Sequence, residues 1–207
     1  MKKLKSSLAN MVVVLVVVAL VTGGLLAWVN QITVGPIAKQ AEQTLADGIK
    51  TVMGAKDLKV DSNDTVKINR DGKESIYIVH ATSQGGKPLG AAVESTTQGF
   101  GGDLKVLVGF NPEGAILGYT ILQTAETPGL GQKADKWFQK GGKGDIIGKN
   151  AADKPLTVKK DGGEVDAITA STITSRAFLL AVNQAYEAYK QQAADGKTGA
   201  SPKHHEQ

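Results

Sequence analysis

Between Asp166 and Arg176 the chain reads Asp-Ala-Ile-Thr-Ala-Ser-Thr-Ile-Thr-Ser-Arg, with five hydroxyls in the seven positions 169–175. The run leaves a β-like stretch and enters a helical pattern. A helix N-terminus presents unpaired backbone N–H groups and the positive end of its dipole, so it attracts anions. One Ser or Thr at such a place is an ordinary cap. Five exceed what a cap needs. Arg176 follows Thr172 by four positions, one helical turn, where its guanidinium could face an anion held there. These residue types suit phosphate binding, or a phosphate ester carried on one of the hydroxyls. The plainer alternative is a strand-to-helix turn capped by Thr169 or Ser171.

Asp166, Thr169 and Thr172 fit the pattern Asp-x-x-(Ser/Thr)-Gly-Ala-Thr, with Ala170 and Ser171 in place of its Gly-Ala. Upstream lies Glu126-Thr127-Pro128-Gly129-Leu130-Gly131. Both segments resemble motifs of the FMN-binding subunits of bacterial Rnf and Na⁺-translocating NADH:quinone reductase complexes. Their order behind an N-terminal apolar segment is similar to that of the G subunits of the Rnf complex. The resemblance implies FMN esterified through its phosphate to the hydroxyl of Thr172. It implies Thr169, Ser171 and Arg176 near that phosphate, and Glu126, Thr127, Gly129 and Leu130 in a loop at the flavin. It also implies a flavin transferase during maturation, five other subunits, and electron transfer between ferredoxin and NAD⁺ coupled to Na⁺ or H⁺ movement. No catalytic base or substrate cleft is evident, so the expected role is an electron carrier within a redox-driven ion-translocating complex. Two alternatives stand beside it: the C subunit of the quinone reductase, and an anchored non-redox binding module.

Charge and composition narrow the classes further. The formal charge is +4, and without Lys2, Lys3 and Lys5 it is +1. A nearly neutral soluble part argues against nucleic acid, which needs a clustered basic face. No cysteine is present, which excludes disulfides, thiolate metal sites and a thioether-linked flavin. His80, His204 and His205 do not form a metal set. Gly142 to Asn150 looks like a phosphate loop, but its glycine interval is wrong and it lacks the Ser or Thr that holds Mg²⁺.

The positioning elements follow from periodicity. No charge occurs from Ser6 to Ala38, and residues 11–29 are almost wholly apolar. Nineteen such residues are about enough to cross the hydrocarbon core. Lysines before the span and none directly after it place residues 1–10 in the cytoplasm and the main domain outside it, at the inner membrane. The stretch is longer than the apolar part of a signal peptide and no Ala-x-Ala ends it. Pro36 suggests the start of a second, amphipathic helix over 36–54, with Ile37, Ala41, Leu45, Ile49 and Val52 on one face. The resemblance implies that residues 60–194 are the FMN-binding domain, and residues 196–207, which lack large apolar side chains, are expected to be an unstructured tail. Within the domain, hairpin signals fall at Asn69–Gly72 and Asn111–Gly114. Alternation at Leu104, Val106, Val108 and Phe110 marks a half-buried strand, and Leu156–Lys159 and Val165–Ile168 suggest two short ones. Ala134, Trp137 and Phe138 suggest a short helix, and Phe178, Val182, Ala185 and Tyr189 the apolar face of the last one. The class is α+β, with antiparallel hairpins and flanking helices.

Overall fold

The structure, a computed structural model, describes residues 8–70 and 72–198. Two compact units divide the chain, Met1–Thr44 and Leu45–Gln207. One helix, α1, runs Leu8–Met53 and contains Pro36. The second helix expected to begin at Pro36 is therefore not separate. A proline removes one i→i−4 hydrogen bond and crowds one carbonyl, yet the bonds on either side keep the helix going. In the first unit its apolar side chains are exposed throughout, among them Leu15, Leu20, Leu26 and Trp28. This helix is long and apolar enough to cross a membrane.

In the second unit, β1 (Lys59–Arg70), β2 (Lys73–Gln84), β3 (Lys87–Gln98), β4 (Asp103–Phe110) and β5 (Ile116–Thr124) form one antiparallel sheet in the order β1-β2-β3-β4-β5. Consecutive strands pair because each connection is short, the arrangement that hairpins impose. In β1, β2 and β3 both ends run on into polar residues carried by ladder bonds, for which periodicity gives no signal. Helix α3 (Thr172–Thr198) covers one face. Its Ala177, Ala181, Ala185 and Ala188 are buried, and these short side chains let the helix approach Val93, Val106 and Val108 closely. Phe178 stacks on Phe138 with ring centroids 4.4 Å apart and meets Tyr119 edge-on at 4.7 Å.

The end of α1 covers the other face. Ile49, Val52 and Met53 bury against Ala92 and Leu107, with Leu58, Leu89 and Leu122 at the margin. Each such side chain contributes roughly 1.5–3 kcal/mol when fully buried. Gly109 pairs with Gly118 across β4 and β5 directly beneath this helix end. A Cβ at Gly109 would lie 2.6 Å from the Val52 carbonyl oxygen, and one at Gly118 2.9 Å. The glycine pair is thus the seat of the helix end.

Beyond β5 the chain makes the Glu126 loop, a 3₁₀ turn at Gly131–Lys133 and the short helix α2 (Ala134–Trp137). The two short strands expected at 156–159 and 165–168 do not form. A single parallel bridge, Val158 to Val165, joins those segments around the 3₁₀ turn Lys159–Asp161. Helix α3 continues to Thr198, past the expected tail start at Gly196; residues 199–207 lie outside the described residues.

Candidate functional site

The hydroxyl run is a built turn, not a loose cap. Ser171 N–H donates to the Ile168 carbonyl at 3.0 Å, closing a β-turn. Ala170, its third residue, has φ +62°, the sole positive φ of a non-glycine residue among those described. A turn of this kind asks for glycine there, where the motif pattern has one. Alanine costs roughly 1–2 kcal/mol in that conformation. The surroundings hold it. The Ser171 carbonyl accepts the Ser175 N–H at 3.0 Å and the Ser175 hydroxyl at 2.9 Å. Ser175 Oγ in turn accepts the Ile168 N–H at 2.9 Å.

This geometry sorts the five hydroxyls. Ser175 clasps the turn from below. Thr174 is buried and donates to Glu126 Oε2 at 2.8 Å. Ser171 is nearly buried at the position before the helix. Thr169 is exposed and Thr172 half-exposed. Neither hydroxyl is hydrogen-bonded by another described residue. Thr172 is the first residue of α3, so the amides of Thr172, Ile173 and Thr174 have no intrahelical acceptor.

Glu126 is the junction. Its carboxylate, 4% exposed, accepts the Phe100 N–H at 2.6 Å and the Gly101 N–H at 3.2 Å, besides the Thr174 hydroxyl. One side chain thereby joins the β3–β4 turn, the Glu126–Gly131 loop and the start of α3. It bonds across to two other segments, because its burial demands donors that the loop does not supply. A Cβ at Gly99 or Gly131 would run into this carboxylate. The rest of the loop, Thr127 to Leu130, faces solvent. Gly129 has φ +76° with nothing within 4 Å of a built Cβ, so conformation, not crowding, calls for glycine there. Phe100, Leu130 and Ile173 are exposed apolar side chains at 70%, 42% and 53%, one from each segment that Glu126 ties together. Tyr119 is buried, with its hydroxyl donating to the Ala134 carbonyl, and belongs to the core. Burial pushes its phenol pKa well above the ordinary value.

The charges near the turn are paired. Arg176 grips Asp161 through two bonds of 2.7 Å and is directed there, not at the Thr172 hydroxyl. The guanidinium holds the Asp161 carboxyl below its usual range. The Asp166 carboxylate meets Lys159 Nζ at 2.8 Å, and the Asp166 carbonyl accepts the Trp137 indole N–H at 2.8 Å. Phe100, Thr174 and the glycines at 99 and 101 were not singled out from the sequence. The Gly-Phe-Gly-Gly run at 99–102 was the available signal: an aromatic among glycines, next to a clean strand pattern.

Residues 99–187 match the FMN-binding domain family, and residues 1–52 match the RnfG N-terminal region. The G subunit of the ion-translocating oxidoreductase complex of Shewanella baltica is 36% identical over 176 residues, covering 81% of this chain and 82% of that protein. The G subunit of the Na⁺-translocating ferredoxin:NAD⁺ oxidoreductase complex of Acetobacterium woodii is 33% identical over 188 residues, covering 86% and 89%. The crystal structure of NqrC from Shewanella oneidensis shares the fold, with a TM-score of 0.53 at 18% identity over 79% of this chain and all of that one. The FMN-binding match contains the Glu126 junction, the exposed loop and the hydroxyl turn, and this chain belongs to the family of G subunits of ion-translocating oxidoreductase complexes.

Proposed function

We propose that this protein relays electrons through an FMN esterified to Thr172, as a subunit of a membrane-bound Rnf-type complex that couples ferredoxin and NAD⁺ oxidoreduction to ion movement. The observation that carries the reading is the 2.8 Å bond from Thr174 to Glu126. It joins the two resembling motifs into one site and leaves the Thr172 hydroxyl at the surface of the helix start. The donor set fits the group. Thr172 Oγ1 carries the ester. The free amides of the first turn and the helix dipole favour its remaining negative charge by roughly 0.3–1 kcal/mol. Thr127, Gly129, Leu130 and Phe100 supply the solvent-facing wall for a flat ring. Thr169 and Ser171 flank the ester, and Arg176 sets the far side of the turn through Asp161. FMN supplies the redox chemistry; the chain holds it and keeps it from dissociating outside the cytoplasm. A flavin transferase installs it, α1 anchors the chain, and the N-terminus is cytoplasmic. The overall fold is shared with NqrC, but the extended identity is to the G subunits.

The test is intact mass of the full chain after co-expression with a flavin transferase. The expected result is one added FMN phosphoryl group, lost in Thr172→Val and kept in Thr169→Val and Ser171→Ala. A flavin mass that persists in Thr172→Val and disappears in either of the others would move the attachment point and overturn the assignment.

A further inference from the structure

The segment carrying the Glu126 loop continues into a lysine shelf. Lys133, Lys136 and Lys143 line an open cavity of about 280 Å³ together with Trp137 and Asp135. Three ammonium groups thus share one carboxylate. None of the three has an ion-pair partner among the described residues. Lys143 Nζ lies 5.7 Å from the centroid of the Trp137 ring. The shelf lies beside the hydroxyl turn. Trp137 donates to the Asp166 carbonyl, and a Cβ at Gly131 would lie 2.9 Å from the Thr174 hydroxyl oxygen. The other cations at the turn, Lys159 and Arg176, are matched by Asp166 and Asp161. Besides Lys140 and Lys160, the cations of this region without an ion pair among the described residues are the three gathered on this shelf.

We infer that the Lys133–Lys136–Lys143 shelf docks an acidic face of the flavin transferase and thereby sets how fast Thr172 is modified. This rests on the flavinylation reading. Modification forms a bond from Thr172 Oγ1 to the FMN phosphorus and breaks the phosphoanhydride of an FMN donor such as FAD. The hydroxyl proton goes to a base on the transferase, and the nucleoside monophosphate leaves. The enzyme meets each chain once, by diffusion, whereas a permanent neighbour in the complex needs no steering. Opposite charge near the reacting group raises such encounter rates and makes them depend on salt. Lysine suits this role, because a strongly hydrated point charge on a flexible stem attracts without fixing one geometry.

The experiment measures FMN incorporation into the purified full-length apo-protein by purified transferase and FAD, across ionic strength. The test variant is Lys133→Gln/Lys136→Gln/Lys143→Gln. The control is Lys59→Gln/Lys73→Gln/Lys87→Gln, three exposed strand-end lysines that change net charge equally. The shelf variant should lose about tenfold in kcat/KM at low salt through KM, with kcat kept and the salt dependence flattened. The control should match the parent. Equal behaviour of the two variants overturns the docking role, and so does a fall in kcat with KM unchanged. A parent chain that gains no FMN mass overturns the flavinylation reading, and this inference with it.

Discussion

Ala170 shows how a single backbone angle explains a sequence departure. The motif pattern has glycine where this chain has alanine, and the structure puts that residue at φ +62°. Ala170→Gly is therefore expected to stabilise the protein by about 1 kcal/mol while leaving FMN loading intact, measured by urea unfolding and intact mass. Unchanged or lower stability would mean that the turn relaxes around alanine. Thr174 carries the opposite expectation. Thr174→Val keeps the shape but removes a donor from a buried carboxylate, a loss of about 1–3 kcal/mol. FMN loading should fall with it, because α3 is then untied from the Glu126 loop. Full loading in a destabilised Thr174→Val protein would show that the tie serves the fold alone. The hydroxyl run was legible in the sequence as a strand-to-helix turn, because five hydroxyls crowd into the seven positions 169–175. Thr174's role was not, since nothing in the run distinguishes the hydroxyl that turns inward from the one left outside. That choice is made by helical phase relative to a carboxylate 48 positions away.

At the scale of elements, the sheet was legible where side chains alternate, as from Leu104 to Phe110, and illegible where polar residues extend the strands. Gly109 and Gly118 gave no sign of their purpose, which exists only once α1 lies on them. The same face of the sheet holds a buried polar chain. His80 lies 2.8 Å from Glu94 Oε1 and 2.7 Å from Asn63, and Lys105 Nζ reaches Glu94 Oε2 at 2.5 Å. Burial pushes the Glu94 carboxyl up, but bonds from His80 and Lys105, with their charges, outweigh it and leave it below the ordinary 4.5. A carboxyl depressed in the folded state stabilises the fold above its unfolded value and loses that contribution as pH falls through the folded one. Glu94→Gln should then cost about 2 kcal/mol at pH 7, less than a fully buried pair because Lys105 is half-exposed. Its difference from the parent should shrink as pH falls below 4.5. A constant difference from pH 7 to pH 3, read by urea unfolding, would show that Glu94 acts by packing and not by charge.

For the whole molecule, the charge asymmetry at the N-terminus has the farthest-reaching consequence. Lys2, Lys3 and Lys5 precede an uncharged run to Ala38, and α1 exposes its apolar side chains along that run. Exposed leucine and valine at this density are unfavourable in water and favourable in lipid. In the proposed orientation the lysines, which are costly to translocate, keep the N-terminus in the cytoplasm and the sheet domain is carried across. The same orientation would give the proposed covalent attachment its purpose, since a cofactor lost outside the cytoplasm is not recovered. The absence of cysteine makes the orientation simple to read, because an introduced thiol is the only one in the chain. Lys87 is exposed at the start of β3, remote in sequence from both motifs. In Lys87→Cys, a membrane-impermeant maleimide added to intact spheroplasts should label the protein as fully as it does after lysis. Labelling that appears only after lysis would place the sheet, and Thr172 with it, on the cytoplasmic side, where retention against dissociation would no longer account for the ester.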